Sequence, residues 1–442
     1  MAQEREGRKF GPVRLEPGVS LGHVWTLMYA NFVTIGIVTA MAVLTPYLLT
    51  VNLGVPENEQ GTALGLLTLT NEIVLILAFS PFGVLADKLG RRSVYVIGMA
   101  ALAAGYVLYP FATSLFELSL YRVVYAVGIA AATGVLSTII ADYAREMDRG
   151  KLVAISGILN GLGVVVSVLL VGRLPSIFVG MGMEEHQAGL VSFAIAGGVC
   201  ALSALVFWLG LKPGTGPAPA ERLPAMELFR RGLSASAKSP RLWLSYAAAF
   251  VARGDLAIVG TYAVAWGNLA AIQDGLPPAE ALRAGSIPFV IAQSAALFWP
   301  VVVIFVIDRL DRITALGISM AIACVGYSAL MLVPDPIKAQ AIPFFVLLGI
   351  GQISAFLGAQ SLIGKEAPPE ERGSVIGLFS LSGAVGILVT SLIGGWLFDN
   401  VSPQSTFLLI GVLNGLVAVG CLLVRLQGRS PEVSPGPPPA VH

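Results

Sequence analysis

Two residue types that carry much of enzyme and metal chemistry are almost missing from this chain. Its 442 residues include three cysteines and three histidines, and only 12% are charged. An ordinary soluble domain carries about 25% charge. A chain this poor in charge, 56% apolar and with mean hydropathy +0.81, is a set of membrane spans and not one water-facing core. Cys200, Cys324 and Cys421 all lie inside apolar runs, where they read as small buried hydrophobes. They support neither a disulfide framework nor a metal or haem site. His23, His186 and His442 fall at or beyond the ends of the apolar runs, which excludes histidine as a proton carrier within the membrane. No glycine-rich loop has a Walker lysine beside it, so ATP as a driver lacks support, and a net charge of +1 marks no nucleic-acid partner. A cofactor is not expected.

The apolar residues come in runs. About 20 are needed to carry a helix across a bilayer, because backbone groups in hydrocarbon must bond within their own segment. Runs of this order cover 22–50, 62–82, 93–112, 115–141, 152–174, 188–211, 242–270, 283–307, 313–333, 340–363, 374–398 and 404–426, which makes twelve spans. Residues 1–21 read as a cytoplasmic tail leading into a retained span, since no small-residue cleavage signal follows them. Short cytoplasmic loops are enriched in lysine and arginine. With the N-terminus inside, only Arg173, Arg283 and Lys338 of the 27 such residues fall on the outer side, and Arg122 and Arg253 lie within spans. Both termini are therefore expected in the cytoplasm. The proline- and glycine-rich stretch 212–240 is a linker, with a short interfacial helix expected over Pro224–Ser236. It separates a six-helix bundle at 22–211 from a second at 241–426, and residues 427–442 are expected to be a disordered cytoplasmic tail.

Between the second and third runs stands Gly83-Val84-Leu85-Ala86-Asp87-Lys88-Leu89-Gly90-Arg91-Arg92, read as a tight loop at the membrane surface. Its spacing, Gly-x-x-x-Asp-Lys-x-Gly-Arg-Arg, resembles the signature loop of the major facilitator superfamily, with Lys88 where arginine is commoner. The resemblance covers about 22–426. It implies an all-α polytopic membrane protein built as two six-helix bundles about a pseudo-two-fold axis along the membrane normal. It also implies that Gly83, Asp87, Lys88, Gly90, Arg91 and Arg92 form a latch between the halves in one conformation, with a weaker copy at Asp308, Arg309 and Arg312, 221 residues on. An echo at an offset of 223 pairs Arg149-Gly150 with Arg372-Gly373, Gly163 with Gly386 and Gly172 with Gly395.

A charge at the bilayer centre costs at least ~2.5 kcal/mol, so such residues face a bundle interior or a wet cavity. Glu72, Arg122, Arg253 and Asp255 are the clear cases. Arg122, Tyr125, Ile129 and Thr133 follow a helical rhythm, and the resemblance puts Arg122 at the cavity wall, contacting solute or holding a carboxylate; an internal ion pair is the alternative. Arg253 and Asp255 stand about 18–21 Å along a helix from Arg241, near mid-membrane. Two residues apart, they point about 200° from one another unless the helix unwinds at Gly254. Arg253 is favoured as the cavity residue because its repeat mate lies near Asn31. Glu72 is the leading proton-coupling group and Asp255 the fallback, a neutral hydrogen-bonded Glu72 being the alternative. Tyr262, Trp266, Gln293, Gln352 and Gln360 complete a candidate amphipathic wall, and glycines 157, 161 and 163 fit close helix packing.

These features point to secondary active transport of a small organic solute, anionic or zwitterionic, by alternating access in a bacterial cytoplasmic membrane, coupled to protons and carried out by a single copy among lipids. Sodium coupling, facilitative uniport and multidrug export stay open, although Gly157–Gly172 lacks the proline of the family's exporter motif. A receptor or membrane enzyme is the reading from another class, and no catalytic constellation supports the enzyme.

Overall fold

The computed structural model describes residues 9–214, 230, 232–234, 236, 239–307, 310–368 and 371–427. Asp308 and Arg309 of the second latch copy, most of the linker with its expected interfacial helix, and the tail at 428–442 lie outside the described residues. Twelve helices long and apolar enough to cross a membrane run through the described part. They are α1 (Leu21–Val51), α2 (Gln60–Leu89), α3 (Arg91–Leu108), α4 (Leu115–Tyr143), α5 (Arg149–Val171) and α6 (Glu185–Gly210) in the first half. The second half holds α7 (Pro240–Gln273), α8 (Ile287–Ile307), α9 (Arg312–Ala329), α10 (Ile342–Glu366), α11 (Arg372–Asn400) and α12 (Pro403–Gln427).

Helix starts follow local capping chemistry. The Ser20 hydroxyl accepts from His23 N at 3.2 Å while Ser20 N donates to His23 Nδ1 at 3.1 Å, a reciprocal cap that fixes the start of α1. Ser114, Ser239 and Asp311 cap α4, α7 and α9 in the simpler one-way form. Glu117 belongs to the α4 cap, accepting from Thr113 N, Thr113 Oγ1 and Tyr121 Oη.

The packing repeats between halves. α1 lies against α5 as α7 lies against α11; α3 pairs with α4 as α9 pairs with α10; α2 meets α4 as α8 meets α10; and α3 meets α6 as α9 meets α12. The chain is thus an all-α fold of two pseudo-symmetric helix bundles. The glycine echo marks where this symmetry is tightest. A Cβ at Gly163 of α5 would run into the carbonyl oxygen of Phe32 on α1, and one at Gly386 of α11 into that of Phe250 on α7. Only glycine permits helix backbones to approach so closely.

Two expectations need correcting. Gly83–Arg92 is not a loop: α2 continues to Leu89 and α3 begins at Arg91, so the turn is Gly90 alone, at φ 89° and ψ 143°. Val84, Leu85 and Ala86 are ordinary helix residues, and a single glycine outside the range of L side chains is enough to reverse the chain. Nor is the N-terminal segment merely a tail. Lys9–Phe10 (β1) and Val13–Arg14 (β2) form an antiparallel hairpin, and the segment is tied to the first bundle by Leu15 bridging Ala144, Glu16 N to Tyr143 O (3.0 Å), Arg14 N to Asp148 Oδ2 (3.0 Å) and Lys212 Nζ to Pro17 O (3.2 Å).

Candidate functional site

The halves meet along two seams, α2 against α11 and α5 against α8. Call the end of the bundle that carries the N-terminal hairpin and Gly90 the terminal face, and the opposite end the far face. Along α2 the residues Gly61, Gly65, Thr68 and Glu72 recur at helical spacing on one side, starting at the far face. A Cβ at Gly61 would lie 2.8 Å from Gly395 O, and one at Gly65 2.7 Å from Ser391 O, so this stripe is pressed onto α11. Tyr262 of α7 locks the corner, its hydroxyl donating to Ser391 O at 2.9 Å and standing 3.3 Å from Gly61 O. One turn further in, Thr68 Oγ1 faces Thr261 Oγ1 at 3.5 Å.

The other seam closes in the same region. A Cβ at Gly172 would meet Ser286 Oγ at 3.0 Å, and one at Gly161 would meet Leu297 Cδ1 at 2.8 Å. Gly172 and Gly395, matched at the 223-residue offset, therefore sit at equivalent points of the two seams. Toward the terminal face the contacts stop: Gly150 and Gly157 on α5, and Gly373 and Gly377 on α11, have open space where a Cβ would stand. Closed at the far face and parted toward the terminal face, the two halves enclose a wedge whose apex is the Thr68–Thr261 contact.

Glu72 is one turn from that apex, 9% exposed, and the charge acting on it across the seam is Arg253 of α7. The Arg253 side chain packs over Gly383 of α11 and is half-buried. α7 runs unbroken through this region, so Arg253 and Asp255 do point to different sides. Asp255 is 0% exposed, turned into the second bundle toward Tyr327 of α9; neither its carboxylate oxygens nor the Tyr327 hydroxyl has a hydrogen-bond partner. Asn71 and Asn160 each keep a buried amide oxygen without a partner. Gln293 donates to Gln352 Oε1 at 3.1 Å, Gln352 Nε2 being left over, and Trp299 Nε1 donates to Ser354 Oγ at 2.9 Å. These last four residues bring α8 and α10 together, and Trp299 and Ser354 are ones the sequence reading passed over.

Other expected site residues make their contacts within one half. Arg122 is 9% exposed inside the first bundle, its guanidinium carbon 5.0 Å from the Tyr125 ring and 5.9 Å from the Tyr109 ring, with Nη1 3.4 Å from Tyr109 Oη. Its charge is held by π faces and a hydroxyl, not by the carboxylate of an internal ion pair. Tyr125 Oη donates to Val38 O at 2.8 Å. Trp266 packs against Phe345 and Phe407, with tilted rings, in the core of the second bundle. Asn31 is fully buried and donates to Leu27 O of its own helix at 2.8 Å, and Gln360 is exposed.

At the signature residues, Arg91 pairs with Asp142 and donates to Thr138 O, Arg92 lies 4.7 Å over the Trp208 ring, and Arg312 in the second half donates to Ser361 Oγ at 2.8 Å. Each of these contacts stays within one half. Lys88 is exposed at the end of α2. Among the described residues no cluster of histidine, cysteine or acidic side chains has metal-ligand geometry.

A family model described as the Major Facilitator Superfamily matches residues 26–365 and again 284–442. Magnetosome protein MamH of Paramagnetospirillum magneticum is 26% identical over 401 residues, 88% of this chain and 90% of that protein. Inner membrane transport protein YajR of Escherichia coli is 25% identical over 408 residues, 90% of this chain and 82% of its own length. Of solved structures, the nucleoside transporter NupG superposes with a TM-score of 0.72 at 16% identity, over 92% of this chain and 99% of that one, a likeness of fold.

Proposed function

This chain belongs to the Major Facilitator Superfamily and is a membrane-embedded secondary transporter of small molecules; from that premise we propose that it moves a polar organic solute by alternating access, driven by protons through Glu72. The observation that carries the reading is a buried acid of the first half near the wedge apex, Glu72, with the guanidinium of Arg253 in the second half near enough to act on its charge. Glu72 comes from the first half and Arg253 from the second, so their attraction draws the halves together beside the apex when Glu72 is ionised and is lost when it is protonated. A carboxyl placed where the halves part can load its proton from one side and release it to the other, which ties proton movement to rocking.

With the terminal face in the cytoplasm, as the lysine and arginine distribution favours, the described conformation is inward-open. The name of the YajR relative supports a bacterial inner membrane. One acid and one guanidinium near the seam, with the amides of Asn71, Asn160, Gln293 and Gln352, suit a zwitterionic or anionic solute whose acidic group meets Arg253. Arg122, enclosed by tyrosines, is assigned to the scaffold of the first bundle.

The direct test uses proteoliposomes loaded with a pH-sensitive dye and challenged with amino acids, nucleosides and organic acids. Solute-dependent proton movement by the parent protein is expected for at least one class. Flux that ignores both pH and membrane potential would count against proton coupling altogether. For the solute so found, Arg253→Gln is expected to weaken binding about tenfold or more, the usual worth of a charge-assisted hydrogen bond. Arg122→Gln is expected to leave binding within about twofold. Equal losses in both variants, measured by solute-protected thermal unfolding, would return Arg122 to the site.

A further inference from the structure

We propose that Asp399 is the lock of the far face: a carboxylate at the end of α11 that caps the first turn of α2 across the seam, and thereby sets how often that face opens. The proposal rests on alternating access but not on what is carried or what drives it.

Asp399 Oδ1 accepts from Gly61 N at 2.7 Å, and Oδ2 accepts from Thr62 N at 2.6 Å and from Thr62 Oγ1 at 2.5 Å. The first amides of a helix have no partner within it and need one from elsewhere. α1, α4, α7 and α9 find it in the residue just before them. α2, like α3, α5, α6, α10 and α11, does not: Glu59, at its N-cap position, makes no side-chain bond to the helix, and the first turn holds no acidic residue. The cap is supplied instead by the other half of the molecule, 338 residues away in sequence.

A negative charge at a helix N-terminus is favoured by the helix dipole as well as by the hydrogen bonds. Separating the halves at the far face breaks all of these contacts together. It would also expose the glycine stripe and the Tyr262 hydroxyl that back them.

The other side of the far face is held differently. At the 223-residue offset the counterpart of Asp399 is Ser176, whose hydroxyl donates to Arg173 O of its own segment at 2.9 Å, and the carboxylate that crosses between the halves there is Glu185, at the start of α6, whose Oε1 accepts from Ala279 N at the longer distance of 3.3 Å. α2 and α11 run antiparallel, and Asp87 lies near the terminal-face end of α2 as Asp399 lies at the far-face end of α11.

The experiment measures distances between spin labels on the full chain in lipid nanodiscs, without solute or gradient, after Cys200, Cys324 and Cys421 are replaced by alanine. One pair, at Asn58→Cys and Val401→Cys, reports the far face; the other, at Met147→Cys and Lys365→Cys, reports the terminal face. Asp399→Ala and Asp399→Asn are expected to raise the far-open population about tenfold, with a matching shortening at the terminal face. Thr62→Ala, which removes one of the three bonds, should fall between them and the parent, and Asp399→Glu should recover part of the closed population. Far-face distances in Asp399→Asn and Thr62→Ala identical to the parent would overturn the proposal, whether or not Asp399→Ala folds. A longer far-face distance with no change at the terminal face would also overturn it, since that is fraying of α2 alone. The readout needs no proton coupling, so it stands or falls apart from the assignment of Glu72.

Discussion

Vesicles carrying Glu72→Gln protein are expected to exchange labelled solute for unlabelled solute at close to the parent rate, yet to accumulate none when a pH gradient is imposed. Glutamine keeps the size of the side chain and one carbonyl acceptor, so the packing of α2 against α7 and α11 should survive. What it loses is the ability to bind and release a proton. A gradient of one pH unit is worth about 1.4 kcal/mol per proton, or about tenfold accumulation for one proton per solute. The expected result is a fall from about tenfold to none. Solute exchange is indifferent to the proton, because both half-reactions can run with the group in one fixed state. If accumulation survives in Glu72→Gln, the coupling group is Asp255, which is fully buried mid-span among the described residues and points to the opposite side of α7 from Arg253. If exchange is lost along with accumulation, Glu72 is needed for rocking or solute binding as such, and the proton assignment loses its support.

The second large effect is structural. Gly163→Ala should lower the melting temperature of the purified protein steeply, whereas Gly157→Ala, two turns away on the same helix, should leave it unchanged or slightly higher. The added methyl at 163 has nowhere to go: it meets the Phe32 carbonyl, part of the α1 backbone that no rotamer change can move. Overpacking of this kind costs about 1–3 kcal/mol where neighbours can adjust, and more where they are backbone. At 157 the methyl meets open space, and alanine is favoured over glycine within a helix by about 1 kcal/mol. Gly386→Ala, matched to Gly163 by the repeat, should behave as Gly163→Ala does. Equal melting temperatures for the 157 and 163 variants would mean that α1 and α5 are not held at glycine contact.

Much of this was legible in the sequence, for physical reasons that differ from feature to feature. The spans declare themselves because hydrocarbon demands unbroken apolar stretches, and the two-bundle repeat shows through in Gly163 and Gly386 because close backbone contact admits no substitute. Arg253 and Asp255 were separated correctly by helix geometry alone. Residues whose role depends on a distant partner were not legible. Asp399 follows the apolar run 374–398 directly and looks like any acid at a membrane surface, since nothing local reveals that α2 begins beside it. Tyr262 and Trp266 have the amphipathic character of a solute wall, but Tyr262 spends its hydroxyl on two backbone carbonyls and Trp266 is closed in by Phe345 and Phe407. Arg122 misleads in the other direction, because a charge within a span suggests a carboxylate partner and the ring faces of tyrosine carry no such signal. The signature decapeptide was read as a loop because its polar residues cluster, whereas helical backbone tolerates them all except Gly90.

The N-terminal hairpin has a consequence for assembly. Its partners are Tyr143, Ala144, Asp148 and Lys212, and Lys151 Nζ adds a bond to Pro12 O at 3.2 Å. The last of these residues in the chain, Lys212, lies two residues beyond α6. As the polypeptide emerges from the ribosome, the segment at 9–17 can dock on Tyr143, Ala144, Asp148 and Lys151 once α4 and the start of α5 have been made, but its bond to Lys212 waits until all six helices of the first half are complete. Chains that form domain by domain tend to finish each unit before the next begins. Here a segment that precedes α1 makes its last link only after α6, so the first half is buckled shut before α7 is available to pair with it.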